Sequence, residues 1–207
     1  MSQNKITTFI IALVSKTSSG KDTCANYIKK EYGIEPIVSF TTREMRKGEV
    51  NGREHYFITK DEMSALLQEK DNILAYVKFP KTGIEYCAST YNITENQIRT
   101  YIIDPSGLDW LRKNRPDVKV ISIYLHLDEN LIRERALKRG DKPELIEERL
   151  DSEREMFNTF YENHGYDECI DTNKSKEEIY AEIDSIFNKY GIKKTGIDKK
   201  IMKNDKR

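Results

Sequence analysis

The sequence predicts an α/β chain with a mainly parallel sheet, on two observations. Strand-length runs that are apolar throughout recur along its 207 residues, and stretches with helical caps and helical periodicity separate them. The runs at Phe9–Val14 (FIIALV), at Tyr101, Ile102 and Ile103, and at residues 118–127 (VKVISIYLHL) are too uniform for strands with one wet face. They suit strands covered on both sides, as parallel strands are.

The first run passes directly into SKTSSGKDT, residues 15–23, and then into a helical stretch that stops at Gly33. Strand, small-residue loop and helix N-terminus form the context of a phosphate-binding loop, with Gly20-Lys21 where its end falls. Backbone N–H groups and the positive end of the helix dipole would hold phosphate oxygens, and Lys21 would add a full charge. The pattern G-x-x-x-x-G-K-[ST] is met in part. Ser15 takes the first glycine position, Asp22 the hydroxyl position, and Thr23 is the first hydroxyl after the lysine. By itself the segment also reads as a strand-to-helix turn with a surface lysine.

Composition narrows the classes. Lys plus Arg is 35 and Asp plus Glu is 35, so no basic excess points to nucleic acid. Cys24, Cys87 and Cys169 are far apart and give neither a disulfide framework nor zinc-ligand spacing, which suits a reducing compartment. The N-terminal apolar run is too short to span a bilayer, and charge follows it at once, unlike a secretory signal. The expectation is a cytoplasmic protein with no membrane or nucleic-acid partner.

Residues 36–40 (PIVSF) form the next expected strand, leading into residues 41–58, rich in arginine and glycine. Arg43 and Arg46 are spaced to aim at one phosphate. A charged hairpin turning at Asn51-Gly52 is the alternative. Thr59 with Glu62 is a capping-box pattern opening a helix. Residues 74–79 return to strand composition, residues 81–90 read as a loop carrying Tyr86, and residues 92–100 suit a short helix. Asp104 ends an apolar strand, where a phosphate-bound Mg²⁺ could be held, or it caps the helix that follows.

Asp128 caps a helix that ends at Gly140 and carries Arg135 and Arg139 on one face. After a tight turn, residues 144–165 continue helically with Arg149 and Arg154. Such a pair could close over a nucleotide as a lid, or form an exposed, salt-bridged helical hairpin. Residues 167–172 are the last expected strand, and Ser175 with Glu178 caps the last helix. From residue 189 onward lies an expected mobile basic tail.

Taken together, the phosphate loop and the pattern S-x-T-T-R-x-x-R-x-G-E-V-N-G-x-x-x-x-F at residues 39–57 resemble the guanylate kinases. The resemblance continues through Asp104, RALKRG at 135–140, EERL at 147–150 and Tyr166-Asp167, covering residues 8–187. It implies a P-loop kinase domain over residues 1–188. The core would be 1–38, 93–127 and 165–188, the monophosphate-binding lobe 39–92 and the lid 128–164.

It further implies transfer of a phosphoryl group from ATP, with Mg²⁺, to a nucleoside monophosphate, foremost GMP or dGMP. Ser18, Ser19, Gly20, Lys21, Asp22 and Thr23 would hold the ATP phosphates. Ser39, Arg43, Arg46 and Tyr86, with His55 or Tyr56, would grip the acceptor's phosphate. Arg135, Arg139 and Arg149 would be the lid arginines, with Arg154 an additional candidate, and Thr23 and Asp104 would serve the metal. The family's guanine-reading acids fall on Ala75 and Ser106, with Asp71 or Glu85 as substitutes. Another (deoxy)nucleoside monophosphate as acceptor, and an inactive protein-binding module of the same family, are the alternatives.

Overall fold

The computed structural model describes residues 9–46, 48–79, 82–91, 93 and 97–195. Four parallel strands form the main sheet in the order β6(Ile98–Ile103), β1(Phe9–Val14), β7(Lys119–His126), β8(Glu168–Asp171). Alternation along β1 explains its uniform sequence. Ile11 and Leu13 enter the layer shared with α1(Lys21–Tyr32) and α6(Lys176–Lys189). Ile10, Ala12 and Val14 enter the opposite layer, with α3(Pro105–Asn114) and α5(Pro143–Glu162). Burying each large aliphatic side chain contributes about 1.5–3 kcal/mol, so one short strand anchors both layers.

Val14 pairs in register with Ile103 of β6 and Tyr124 of β7. The carboxyl ends of the three strands therefore finish at one rim, where ligands of open α/β sheets collect.

A second sheet, in the order β3(His55–Phe57), β2(Ser39–Thr41), β5(Glu85–Ser89), β4(Ile73–Lys78), makes a separate lobe. Strands β2 and β3 run parallel, so Asn51-Gly52 does not turn a hairpin. Instead Asn51 Oδ1 accepts the Phe57 N–H at 2.8 Å, and Gly52, at φ 82°, donates to the His55 carbonyl at 2.8 Å. Residues 85–89, expected as loop, are the strand that joins β2 to β4. Their glycine and threonine neighbours hid them, and the strand forms because partners exist on both sides. The stretch at 92–100 resolves as strand from Ile98 onward, while residues 92 and 94–96 lie outside the described residues. Helix α2(Lys60–Leu66) opens with the expected capping box of Thr59 and Glu62.

The helical pair α4(Glu129–Arg139) and α5 is held by its own small core of Leu127, Ile132, Ala136, Ile146 and Leu150. Gly140, at φ 92°, ends α4 and lets the Asp141 N–H return to the Ala136 carbonyl at 3.1 Å. Part of the expected tail belongs to the body of the fold. Ile192 is buried against α1 and α6, and the Thr195 N–H donates to the Glu31 carbonyl at 3.1 Å. Residues 196–207 lie outside the described residues. Among the described residues no helix is long and apolar enough to cross a membrane.

Candidate functional site

Residues 15–20 link β1 to α1 and form one wall of a cavity of about 160 Å³. Ser18 and Gly20 line it from the loop, Lys21, Asp22 and Thr23 from the first turn of α1, and Arg135 and Arg139 from α4. One lysine and two arginines thus converge on a helix N-terminus, which is the chemistry of a polyphosphate site. Ser19 is fully buried, with its hydroxyl directed at the Thr17 carbonyl, 3.4 Å away. The Ser18 hydroxyl is buried without a partner beside this cavity. Lys21 lies 3.8 Å from the Asp22 carboxylate, which is largely exposed.

The loop also carries backbone strain, although not where its missing glycine stood. Ser15 has no positive φ, whereas Ser18 sits at φ 56° and Gly20 at φ 86°. A left-handed conformation costs a non-glycine residue roughly 1–2 kcal/mol.

An adjoining cavity of about 410 Å³ shares Ser18, Gly20, Thr23 and Arg135 with the first. Its remaining wall includes Cys24, Ile179 and Tyr180, with Lys174 and Lys176 at its edge. Sequence reading missed this half of the site because α6 joins the loop only through the fold. Its one available signal was the lysine pair around the Ser175 cap. Arg135 is anchored between the two cavities by donating to the Thr172 carbonyl at 2.6 Å. Burial, with the Asp22 charge adding to it, pushes the Cys24 thiol up to about 11, so it is a neutral packing group here.

On the other lobe, the threonines of the arginine-rich motif build the turn that carries Arg43. Thr41 Oγ1 donates to the Glu85 carbonyl at 3.0 Å and accepts the Arg43 N–H at 3.1 Å, while Thr42 Oγ1 accepts the Glu85 N–H at 2.9 Å. Arg43 forms a two-pronged pair with Glu49, at 3.0 and 2.9 Å, and stacks over Phe57. Glu49 also accepts the Arg46 N–H at 2.7 Å, and the Arg43 pair holds its carboxyl down at about 2. Partial burial, then the charges of Arg43 and Arg149, push the Arg46 pKa down.

Strand alternation separates the two aromatic candidates. His55 Nδ1 is 2.9 Å from Ser39 Oγ, and its ring meets Tyr86 edge-on at 5.6 Å. Tyr56 points the other way and stacks on Phe40. Burial and the neighbouring Arg43 charge lower the His55 pKa from 6.5, which favours the neutral ring.

Alternation also bears on the base-reading positions. Ala75 is buried and pairs with Ala88, while Glu85 faces the α2 side with Tyr76 Oη at 2.5 Å and Lys78 Nζ at 3.7 Å. Asp71 is in an exposed 3-10 turn, and Ser106 Oγ is 3.1 Å from Met156 Sδ.

The arginines of α4 and α5 have distinct environments. Arg139 pairs through Nε and Nη2 with Asp141, and Arg149 Nη1 lies 4.0 Å from the same carboxylate. Arg154 points elsewhere, to Glu129 and Asp151. Asp104 ends β6 beside the phosphate loop and caps α3 through the Gly107 N–H at 2.9 Å. Burial raises its carboxyl pKa, while that hydrogen bond opposes the rise. Among the described residues no group of three or more His, Cys, Asp or Glu could cage a metal ion.

Comparison with known proteins places this geometry. The family model described as guanylate kinase matches residues 7–190. A guanylate kinase of Wolbachia sp. subsp. Brugia malayi is 30% identical over 204 residues, covering 91% of this chain and 96% of the relative. One from Nitrobacter winogradskyi is 27% identical over 188 residues, covering 89% and 84%. The crystal structure of guanylate kinase from Anaplasma phagocytophilum superposes with a TM-score of 0.66 over 97% of this chain and 96% of that one. At 22% identity that likeness speaks to the fold.

Proposed function

The chain belongs to the guanylate kinase family, and from that premise we propose that it transfers the γ-phosphoryl group of ATP to GMP or dGMP. The observation that carries the reading is the convergence of Lys21, Arg135 and Arg139 on the phosphate loop in one cavity. In this reading residues 18–23 hold the ATP phosphates, and the adjoining cavity beside Tyr180 takes the donor's nucleoside. The acceptor's phosphate is gripped by Ser39, Arg43, Arg46, His55 and Tyr86, on the face away from Tyr56.

Phosphoryl transfer requires alignment and charge neutralisation more than covalent chemistry. Lys21 bridges the phosphates across which charge moves, and Arg139 and Arg149 reach the transferring group from the lid. Closing the lid excludes water that would otherwise take the phosphoryl group. The oxygen donors fit Mg²⁺ carried mainly by nucleotide phosphates: the Thr23 hydroxyl, the unpartnered Ser18 hydroxyl and, through water, Asp22 and Asp104. When bound, Mg²⁺ supplies charge neutralisation at the phosphates. The core, the monophosphate lobe at 39–92 and the lid at 128–164 act in this reading as the three working parts.

A coupled ADP-release assay against GMP, dGMP, AMP, CMP, UMP and dTMP tests the proposal. Turnover with the guanine nucleotides alone is expected. A folded protein that turns over none of them overturns the kinase reading, and preference for another base reassigns the acceptor.

A further inference from the structure

We infer that Glu153, on the lid helix α5, is a positioning residue that holds the phosphate loop in its binding shape. The inference rests on the reading of residues 18–23 as the ATP phosphate site. Glu153 Oε2 accepts the Thr17 N–H at 3.0 Å, one residue before the strained Ser18. A phosphate loop is usually shaped by its own glycines, and here serine occupies the first glycine position. Ser18 takes its left-handed conformation with a hydroxyl that has no partner, so its own side chain does not hold it there. Strained backbone persists where surrounding contacts over-determine it. The contacts that do so come from outside the loop.

Lys16 supplies the rest of the tether. It is 6% exposed, and its ammonium is bound to Glu129 Oε1 at 3.0 Å and Asn158 Oδ1 at 3.2 Å. Residues 16 and 17 are therefore tied to the first residue of α4 and to two residues of α5. Glu129 and Asn158 stand near the ends of α4 and α5 away from the Gly140 turn, and Glu153 stands midway along α5. The base of the lid thus serves as scaffold for the loop, and closure is left to the distal half. Burial raises the Glu153 pKa, while the Thr17 N–H hydrogen bond and then the charges of Lys21, Arg149 and Lys16 oppose that rise.

The test is a double-mutant cycle read in ATP affinity. Glu153→Met keeps the volume and removes the acceptor. It is expected to weaken binding of a non-hydrolysable ATP analogue with Mg²⁺ about 5- to 10-fold by calorimetry, and to raise the KM for ATP alike, with the KM for GMP unmoved. Glu153→Gln offers an amide oxygen and is expected to recover most of that loss. In a Ser18→Gly background, where φ 56° costs little, the Glu153→Met effect is expected to shrink below about twofold. Unchanged ATP affinity, or an equal loss in both backgrounds, overturns the inference, as does a loss of thermal stability with affinity intact. Should Glu153→Met fail to fold, hydrogen exchange on the unliganded wild-type chain decides. A protected Thr17 amide supports the tether and a freely exchanging one overturns it. Wild-type protein without ATP affinity overturns the donor-site reading itself, and this inference with it.

Discussion

Asp141→Asn separates two jobs that the lid carboxylate could have. Asp141 pairs with Arg139 and stands 4.0 Å from Arg149, so it competes for the donors that the proposed function assigns to phosphate oxygens. The three side chains are 28%, 54% and 37% exposed, so water screens the attraction. A unit charge pair at 4 Å would be worth about 4 kcal/mol at an effective dielectric of 20, but exposed pairs retain only about 0.2–1 kcal/mol. Removing the charge should release roughly that amount in all, which corresponds to up to about a 5-fold fall in KM for ATP. Steady-state kinetics at low and high salt would read it, and the gain should shrink as salt rises. A raised KM, or a fall in kcat with KM unchanged, would refute the displacement argument, because Asp141 would then be aligning the arginines instead.

Other outcomes follow from the same geometry. Lys21→Ala should lower kcat about 10²–10³-fold while the chain keeps its melting temperature, because Lys21 faces the cavity and anchors no packing. Ile132→Ala, in the core that joins α4 to α5, should cost about 2–5 kcal/mol of lid stability. Limited proteolysis should then cut within residues 128–164 first. His55 has a folded pKa below its ordinary 6.5, so its neutral form is the stabilising one. Its contribution is complete above pH 6.5 and fades as pH falls through the lowered value. Melting temperatures of wild type and His55→Asn should therefore converge on acidification, and a gap that widens would refute this.

The layered α/β body was legible because its strands are buried on both faces, and continuous runs such as Phe9–Val14 have few other uses. The helix caps at Thr59, Asp128 and Ser175 were legible because capping is local chemistry. Strand β5 was not, since Glu85, Tyr86 and Cys87 become a strand only through Thr41, Phe40 and Tyr76 beside them. The same limit explains the site. Spacing named Arg135 and Arg139, but the cavity wall at Ile179 and Tyr180 is over 150 positions along the chain from the loop and converges with it only through the sheet order. Ser15 takes the motif's glycine position, yet the left-handed residue is Ser18, because the path of the turn, rather than its consensus, decides which residue is left-handed.

A chain with equal numbers of acids and bases sets carboxylates beside the arginines of the proposed donor and acceptor sites. Geometry sorts them into those that stay and those that yield. Glu49 binds the Arg43 guanidinium on one side and the Arg46 N–H on the other, within one loop, and cannot leave without unravelling it. Asp141 touches guanidinium groups on two separate helices and has no comparable backbone duty through its carboxylate. Glu49→Gln should therefore raise the KM for GMP, since Arg43 loses its orientation, whereas Asp141→Asn should lower the KM for ATP. Equal and same-signed effects would mean that both carboxylates act only through bulk charge. A kcat/KM comparison of the two variants at matched ionic strength separates orientation from charge, because screening weakens the second far more than the first.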